Sequence, residues 1–139
     1  TLKSDLINTV ARHFDYQFSS DFYVAPDNIK TMSEHGMIIG SHTQDHPVMS
    51  KLTFAEQVHQ LQASFDYLYA ICNLPHRTFC HPYGGFHSFD DNTVTILNDM
   101  NVLYSFNVQS RDITLNDRSA FKHALPRYDC NEFAHGAAS

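Results

Sequence analysis

Gly40-Ser41-His42-Thr43-Gln44-Asp45-His46-Pro47 decides how the rest of the chain is read. Two histidines sit four apart, behind the apolar run Met37-Ile38-Ile39 and a small polar hinge, Gly40-Ser41. Neutral imidazole is the commonest protein ligand for divalent transition metals. A spacing of four brings both rings to one side if the backbone turns once between them. Pro47 argues against a helix running through His46, because the residue before a proline is pushed out of the α region. A zinc-protease helix, His-Glu-x-x-His, is excluded by that proline and by the missing glutamate. The stretch reads as a turn at the C-terminal end of a strand, where open α/β sheets and barrels place their chemistry. The competing reading is a chance pair, because the chain has 10 histidines in 139 residues.

The length predicts one domain over residues 1–139, large enough to bury one proper core. Hydrophobic residues make up 42% and charged ones 17%, which excludes disorder, coiled coils and collagen-like repeats. A net charge of −6 points away from nucleic acid as a partner. Eleven Phe and seven Tyr, with no Trp, predict an aromatic core or an aromatic-lined cleft. Cys72, Cys80 and Cys130 are odd in number and widely spaced, so no disulfide framework is expected. That pattern fits a reducing compartment, and a cytoplasmic location is the expectation. No Cys-x-x-Cys is present, and no apolar run approaches the roughly 20 residues of a membrane span. The chain opens on Thr1 without a methionine, so a longer parent with a preceding segment is expected.

Along the chain, Leu2, Leu6, Val10 and Phe14 form a helical stripe. Pro26 to His35 predicts a short helix stopped by Gly36. Met37 to Ile39 predicts a strand buried on both faces. Thr53-Phe54-Ala55-Glu56 is a capping box, opening a helix on Phe54, Val58, Leu61, Phe65, Leu68 and Cys72. His59 on that helix reads as a solvated side chain. Arg77 to Cys80 predicts a strand running into His81-Pro82-Tyr83-Gly84-Gly85, where fixed and permissive backbone positions stand side by side. Ser88 or Asp90 caps a helix through Met100, with Val94 and Leu97 inward. Val102 to Val108 predicts a strand, Gln109 to Ser119 a polar loop, and Phe121 to Leu125 a last short strand.

Short strands alternating with helices predict a parallel sheet with right-handed crossovers. Each strand then ends in a polar loop: His42 and His46, His81 and Tyr83, Arg111 and Asp112, Arg127 and Asp129. In a barrel or open parallel sheet those ends face the same way, which predicts one shared site.

The order Gly-Ser-His-Thr-x-x-His-Pro, a helix, then Phe-x-x-Pro-Tyr-Gly resembles the polysaccharide deacetylase domain, the NodB-like domain of carbohydrate esterase family 4. The resemblance runs from about Phe22 to Asp129. It implies an α/β fold, a partial distorted (β/α) barrel with parallel strands and crossover helices. It also implies a hydrolase that removes an N-acetyl group from a sugar or polysaccharide. One divalent metal, usually zinc, is held in such enzymes by two histidines and an aspartate. The metal polarises the acetamide carbonyl and lowers the pKa of a bound water. A second aspartate takes that water's proton, and a histidine protonates the departing amine. Mapped by motif, His42 and His46 are metal ligands, and the Tyr83 backbone N–H holds the oxyanion. Arg127 and Asp129 are further catalytic candidates, and His81, Pro82 and Gly84 are candidate substrate contacts.

Three departures accompany the resemblance. The Phe-Asp-Asp motif that supplies base and third ligand has no match in residues 1 to 41, and the Phe89-Asp90-Asp91 triplet stands at a helix start, where capping is its expected role. Cys80 occupies the position, two before the proline of Pro-Tyr-Gly, where the family commonly has arginine; Arg127 or Arg111 is the candidate replacement charge. The acid histidine has no recognisable motif, leaving His123 and His135 as candidates. Two further readings follow: a non-catalytic carbohydrate-binding or pseudo-enzyme domain, and a module whose histidines bind metal for structure alone.

Overall fold

The computed structural model describes Asp5, Thr9 and residues 23–133. The stripe from Leu2 to Phe14 lies outside the described residues, except for Asp5 and Thr9, both helical. Helix α1 (Pro26–Glu34) starts on a proline, whose fixed φ suits the first helical position, and gives way at His35. The chain then runs extended to Ser41, which forms a parallel bridge with Phe79. Gly40 permits that approach: a Cβ there would lie 2.6 Å from Thr78 Oγ1 and 3.1 Å from the Thr78 carbonyl oxygen.

A 3-10 turn (Met49–Lys51) leads to α2 (Phe54–Ile71), 18 residues long, with the Thr53–Glu56 capping box formed in both directions. Strand β1 (Thr78–Cys80) follows, then α3 (Asp91–Asp99), then β2 (Tyr104–Phe106). β1 and β2 pair in parallel, with Phe79 opposite Ser105. A short helix α4 (Leu115–Ala120) crosses to Leu125, which bridges Phe106 in parallel. The spatial order is therefore Ser41, β1, β2, Leu125, the order of the sequence. This is the expected partial barrel of parallel strands and crossover helices, and its loops after residues 41, 80, 106 and 125 leave from the same end of the sheet.

The core lies between that sheet and helices α2 and α3. Leu61 and Phe65 from α2, Phe79 from β1, Ile96 and Leu97 from α3, and Met49 and Val102 are buried together. Each such side chain stabilises the fold by about 1.5–3 kcal/mol relative to an exposed one. Helix α2 also buries Gln57, whose amide oxygen accepts a hydrogen bond from Thr93 Oγ1 at 2.6 Å. Its amide nitrogen donates to the Leu52 carbonyl and to Asp90, both at 3.3 Å. Asp90 in turn caps α3 by accepting the Thr93 N–H at 3.0 Å. The Phe89-Asp90-Asp91 triplet thus does the work of a helix start, as its position implied.

Several elements differ from the sequence reading. Met37 and Ile38 are 57% and 81% exposed instead of buried on both faces. Their segment has a sheet partner on one side only among the described residues, and that partner meets it at a single bridge. The strand read over Val102 to Val108 shortens to three residues, because the Val102 N–H closes a turn on Leu97 O and the Asn107 side chain takes over at the other end. The polar stretch Gln109 to Ser119 contains α4, which no apolar stripe announces: Leu115 is 81% exposed, and the helix is held by the Thr114–Asp117 capping box. Phe121 to Leu125 is a turn followed by one bridge, with Ala124 N–H donating to Phe121 O.

Candidate metal centre

His42 follows the bridged Ser41, and its Nδ1 lies 2.8 Å from the Cys80 carbonyl oxygen. A carbonyl only accepts, so Nδ1 carries the proton and the Nε2 lone pair is left for a ligand. Burial lowers the His42 pKa, opposed by the Cys80 carbonyl and reinforced by the charges of His46 and Arg127. The ring is therefore neutral at pH 7, the state in which imidazole ligates.

The turn expected between the two histidines is built from left-handed residues. Thr43 has φ 66° and His46 φ 56°, and the His46 N–H donates to Thr43 Oγ1 at 3.1 Å. Proline therefore drives His46 out of the right-handed α region into the left-handed one. Non-glycine residues in that region cost of order 1–3 kcal/mol each and persist where their surroundings hold them. Here α2 does the holding. Gln60 accepts the Asp45 N–H at 2.9 Å and donates to the Asp45 carboxylate at 2.8 Å, and Ser64 shares a 2.7 Å hydrogen bond with Ser41. Gln60 and Ser64 were not singled out in the sequence; their only signal is a polar pair four apart on an amphipathic helix.

The His42 and His46 ring centroids stand 4.7 Å apart, and the Tyr83 ring stands 4.7 Å from His46. Two strand-end loops thus meet at one exposed mouth. Tyr83 is itself left-handed, at φ 62°, and its N–H has no hydrogen-bond partner among the described residues. Gly84, at φ 68°, lets the loop close on the end of β2: a Cβ there would lie 2.3 Å from Val108 Cγ1, and Val108 N–H donates to Gly84 O at 3.3 Å. Pro82 and Gly84, expected as substrate contacts, are buried and shape the loop under Tyr83.

His81, also expected to touch substrate, is placed in the core. It is 1% exposed, stacked on Phe89 at 3.8 Å, and edge-on to Phe79. Its Nε2–H donates to the His123 carbonyl at 2.8 Å, while Nδ1 is buried without a partner. Burial lowers its pKa to about 4. His123, a candidate for the acid, is buried too and donates from Nε2 to Asn98 Oδ1 at 3.0 Å. His135 lies outside the described residues.

Of the two candidate replacement charges, Arg111 is engaged elsewhere, in a two-pronged pair with Asp117 at 2.7 Å on both arms. Arg127 is the one at the mouth. Its charge acts on His42, and its guanidinium lies against the Cys80 thiol. Burial pushes that thiol's pKa up, against the pull of Arg127. Arg127 Nε is buried with no partner. Asp129 feels the Arg127 charge, but its carboxylate caps the turn Cys130–Glu132 by accepting the Asn131 N–H at 3.1 Å.

The donor set therefore fits a divalent transition metal as two of its ligands: two imidazoles at one mouth, one with its second nitrogen tied to a carbonyl. Among the described residues no group of three His, Cys, Asp or Glu side chains converges on one point.

Comparison with known proteins accounts for this arrangement. The family model described as polysaccharide deacetylase matches residues 7–105. The chain belongs to the polysaccharide deacetylase family. No curated protein matches the chain. Among solved structures, it is similar to the Streptococcus pyogenes deacetylase PplD in complex with acetate, with 21% identity and a TM-score of 0.68 over 79% of this chain and 46% of that one. It is also similar to a mutant of BA3943, a CE4 family pseudoenzyme, with 28% identity and a TM-score of 0.50 over 55% of this chain and 27% of that one. The chain thus spans less than half the length of either structure. The likeness to PplD supports the fold, and membership of the family supports deacetylation as its chemistry.

Proposed function

We propose that this chain carries the metal-ligating mouth of a carbohydrate N-deacetylase. The observation behind the reading is the meeting of His42, His46 and Tyr83 across two strand-end loops. His42 through Nε2, together with His46, would hold a divalent metal, zinc first among them. When bound, such an ion polarises an acyl carbonyl and acidifies water. The residues of the chain do the rest. The Cys80 carbonyl fixes the His42 ring. The Tyr83 N–H, held at positive φ by the packed Pro82 and Gly84, donates to the oxygen of the acetamide carbonyl as charge builds there. Arg127 lends positive charge beside that mouth in place of the arginine that Cys80 displaces, and Asp129 is the carboxylate on which it acts. In the net reaction the amide C–N bond breaks, water supplies hydroxyl to the acyl carbon and a proton to nitrogen, and acetate and a free amine leave.

The test is acetate release from an N-acetylated oligosaccharide by the whole protein, with zinc added and with a chelator. Zinc-dependent release that His42→Ala abolishes supports the reading; zinc bound without release sinks it. A second reading, a non-catalytic glycan-binding domain, is favoured by the two-ligand donor set and by the pseudoenzyme among the similar structures. It predicts glycan binding that is indifferent to zinc.

A further inference from the structure

Beside the mouth, on the far side of the Tyr83 loop, lies a second cavity of about 380 Å³, within the range of small-molecule sites. Its walls come from the loop after β1 and from the α4 region, segments the catalytic reading leaves unused. Phe86 and Phe121 line it and remain 57% and 55% exposed. Large aromatic rings left open to water on a cavity wall are characteristic of recognition sites. Gln109 and Asn116 also line it, and neither side-chain amide has a hydrogen-bond partner among the described residues. The remaining wall is charged but self-contained. Both arms of Arg111 are taken by Asp117, whose carboxylate also accepts from the Thr114 N–H and hydroxyl at 2.8 and 2.7 Å. The cavity therefore shows its ligand two ring faces, two open amides and no net charge.

That combination suits a neutral, polyhydroxylated ring: the C–H face of a pyranose packs on phenyl, and amides pair with hydroxyls in either direction. It does not suit a phosphate or a polyanion, which would have to break the Arg111–Asp117 pair in a chain of net charge −6. Continuity with the mouth follows from the backbone. Phe86 stands three residues beyond Tyr83, and Gln109 follows Val108, which is locked to Gly84.

We propose that this cavity is a subsite for a neighbouring sugar of an extended neutral glycan, so that the chain acts on an oligomer or polymer and not on a monosaccharide. The inference rests on the carbohydrate reading above, but not on its metal chemistry. The cavity holds one ring of the glycan while another ring reaches the histidines.

The test uses two neutral tetrasaccharides, chitotetraose, which is N-acetylated, and cellotetraose, which is not. Binding is followed by amide and aromatic NMR shifts of the chain. Saturable shifts at Phe86, Gln109 and Phe121 with both tetrasaccharides, at least tenfold weaker with N-acetylglucosamine, are expected. Phe86→Ala and the surface variant Gln109→Ala each weaken tetrasaccharide binding about tenfold while the remaining spectrum stays native. A double His42→Ala, His46→Ala variant keeps cellotetraose binding. If neither tetrasaccharide shifts these residues, or if the Phe86 and Gln109 variants bind like the parent, the subsite is overturned. Retained binding with no acetate release overturns the deacetylase reading alone.

Discussion

Removal of either imidazole at the mouth is the most local change available. His42 and His46 are exposed, so His42→Ala and His46→Ala leave no cavity in the core. Zinc titration by calorimetry is expected to show affinity reduced 100-fold or more, with circular dichroism unchanged; unfolding together with metal loss would mark a structural ion instead. Gly84→Ala is predicted to cost stability directly. Its φ is 68°, and the new methyl meets Val108 at 2.3 Å, so a loss of about 1–3 kcal/mol in denaturant melts is expected. The histidine motif was legible at this scale because spacing and the following proline act locally. The fate of His81 was not: the residue precedes the same proline as any loop histidine would, and only the Phe79 and Phe89 rings around it show that it faces inward.

Helix starts carry the next set of consequences. The Thr53 and Asp90 boxes were both readable, since an oxygen-bearing side chain three residues before a partner is a local pattern. Thr53→Ala should lower stability by about 1 kcal/mol. Asp90→Ala should cost more, about 1–2 kcal/mol, because buried Gln57 and Thr93 lose a shared partner. Unchanged zinc affinity in Asp90→Ala, measured by the same titration, confirms that this carboxylate serves the helix; a loss of metal would return it to the site. Helix α4 escaped the sequence reading because its six residues are stabilised by Asp117 pairing with Thr114 and Arg111 and not by an apolar stripe.

The whole molecule should respond to acid through its buried histidines. His81 and His123 titrate near 4 in the fold, both by burial, against an ordinary value of 6.5. Between those values the unfolded chain binds protons that the folded one refuses, so stability is full above about pH 6.5 and falls as pH drops toward 4. For His81 alone the loss approaches roughly 3 kcal/mol. Urea melts from pH 7.5 to pH 4 should show it, and a flat midpoint over that range would contradict the buried placement. At this scale the division between sequence and structure has a physical cause. The amino-acid order by itself determined the α/β alternation, the capping boxes, the family and the two imidazoles, because periodicity, caps and motifs are properties of neighbouring residues. Tertiary structure decided which charge stands beside the mouth, Arg127 and not Arg111, and which histidines are core and which are ligands. It also decided that Gln60 and Ser64 hold the His42 loop and that Phe86 and Phe121 share a cavity. Those are meetings between distant segments, set by how sheet and helices pack, and no local pattern encodes them.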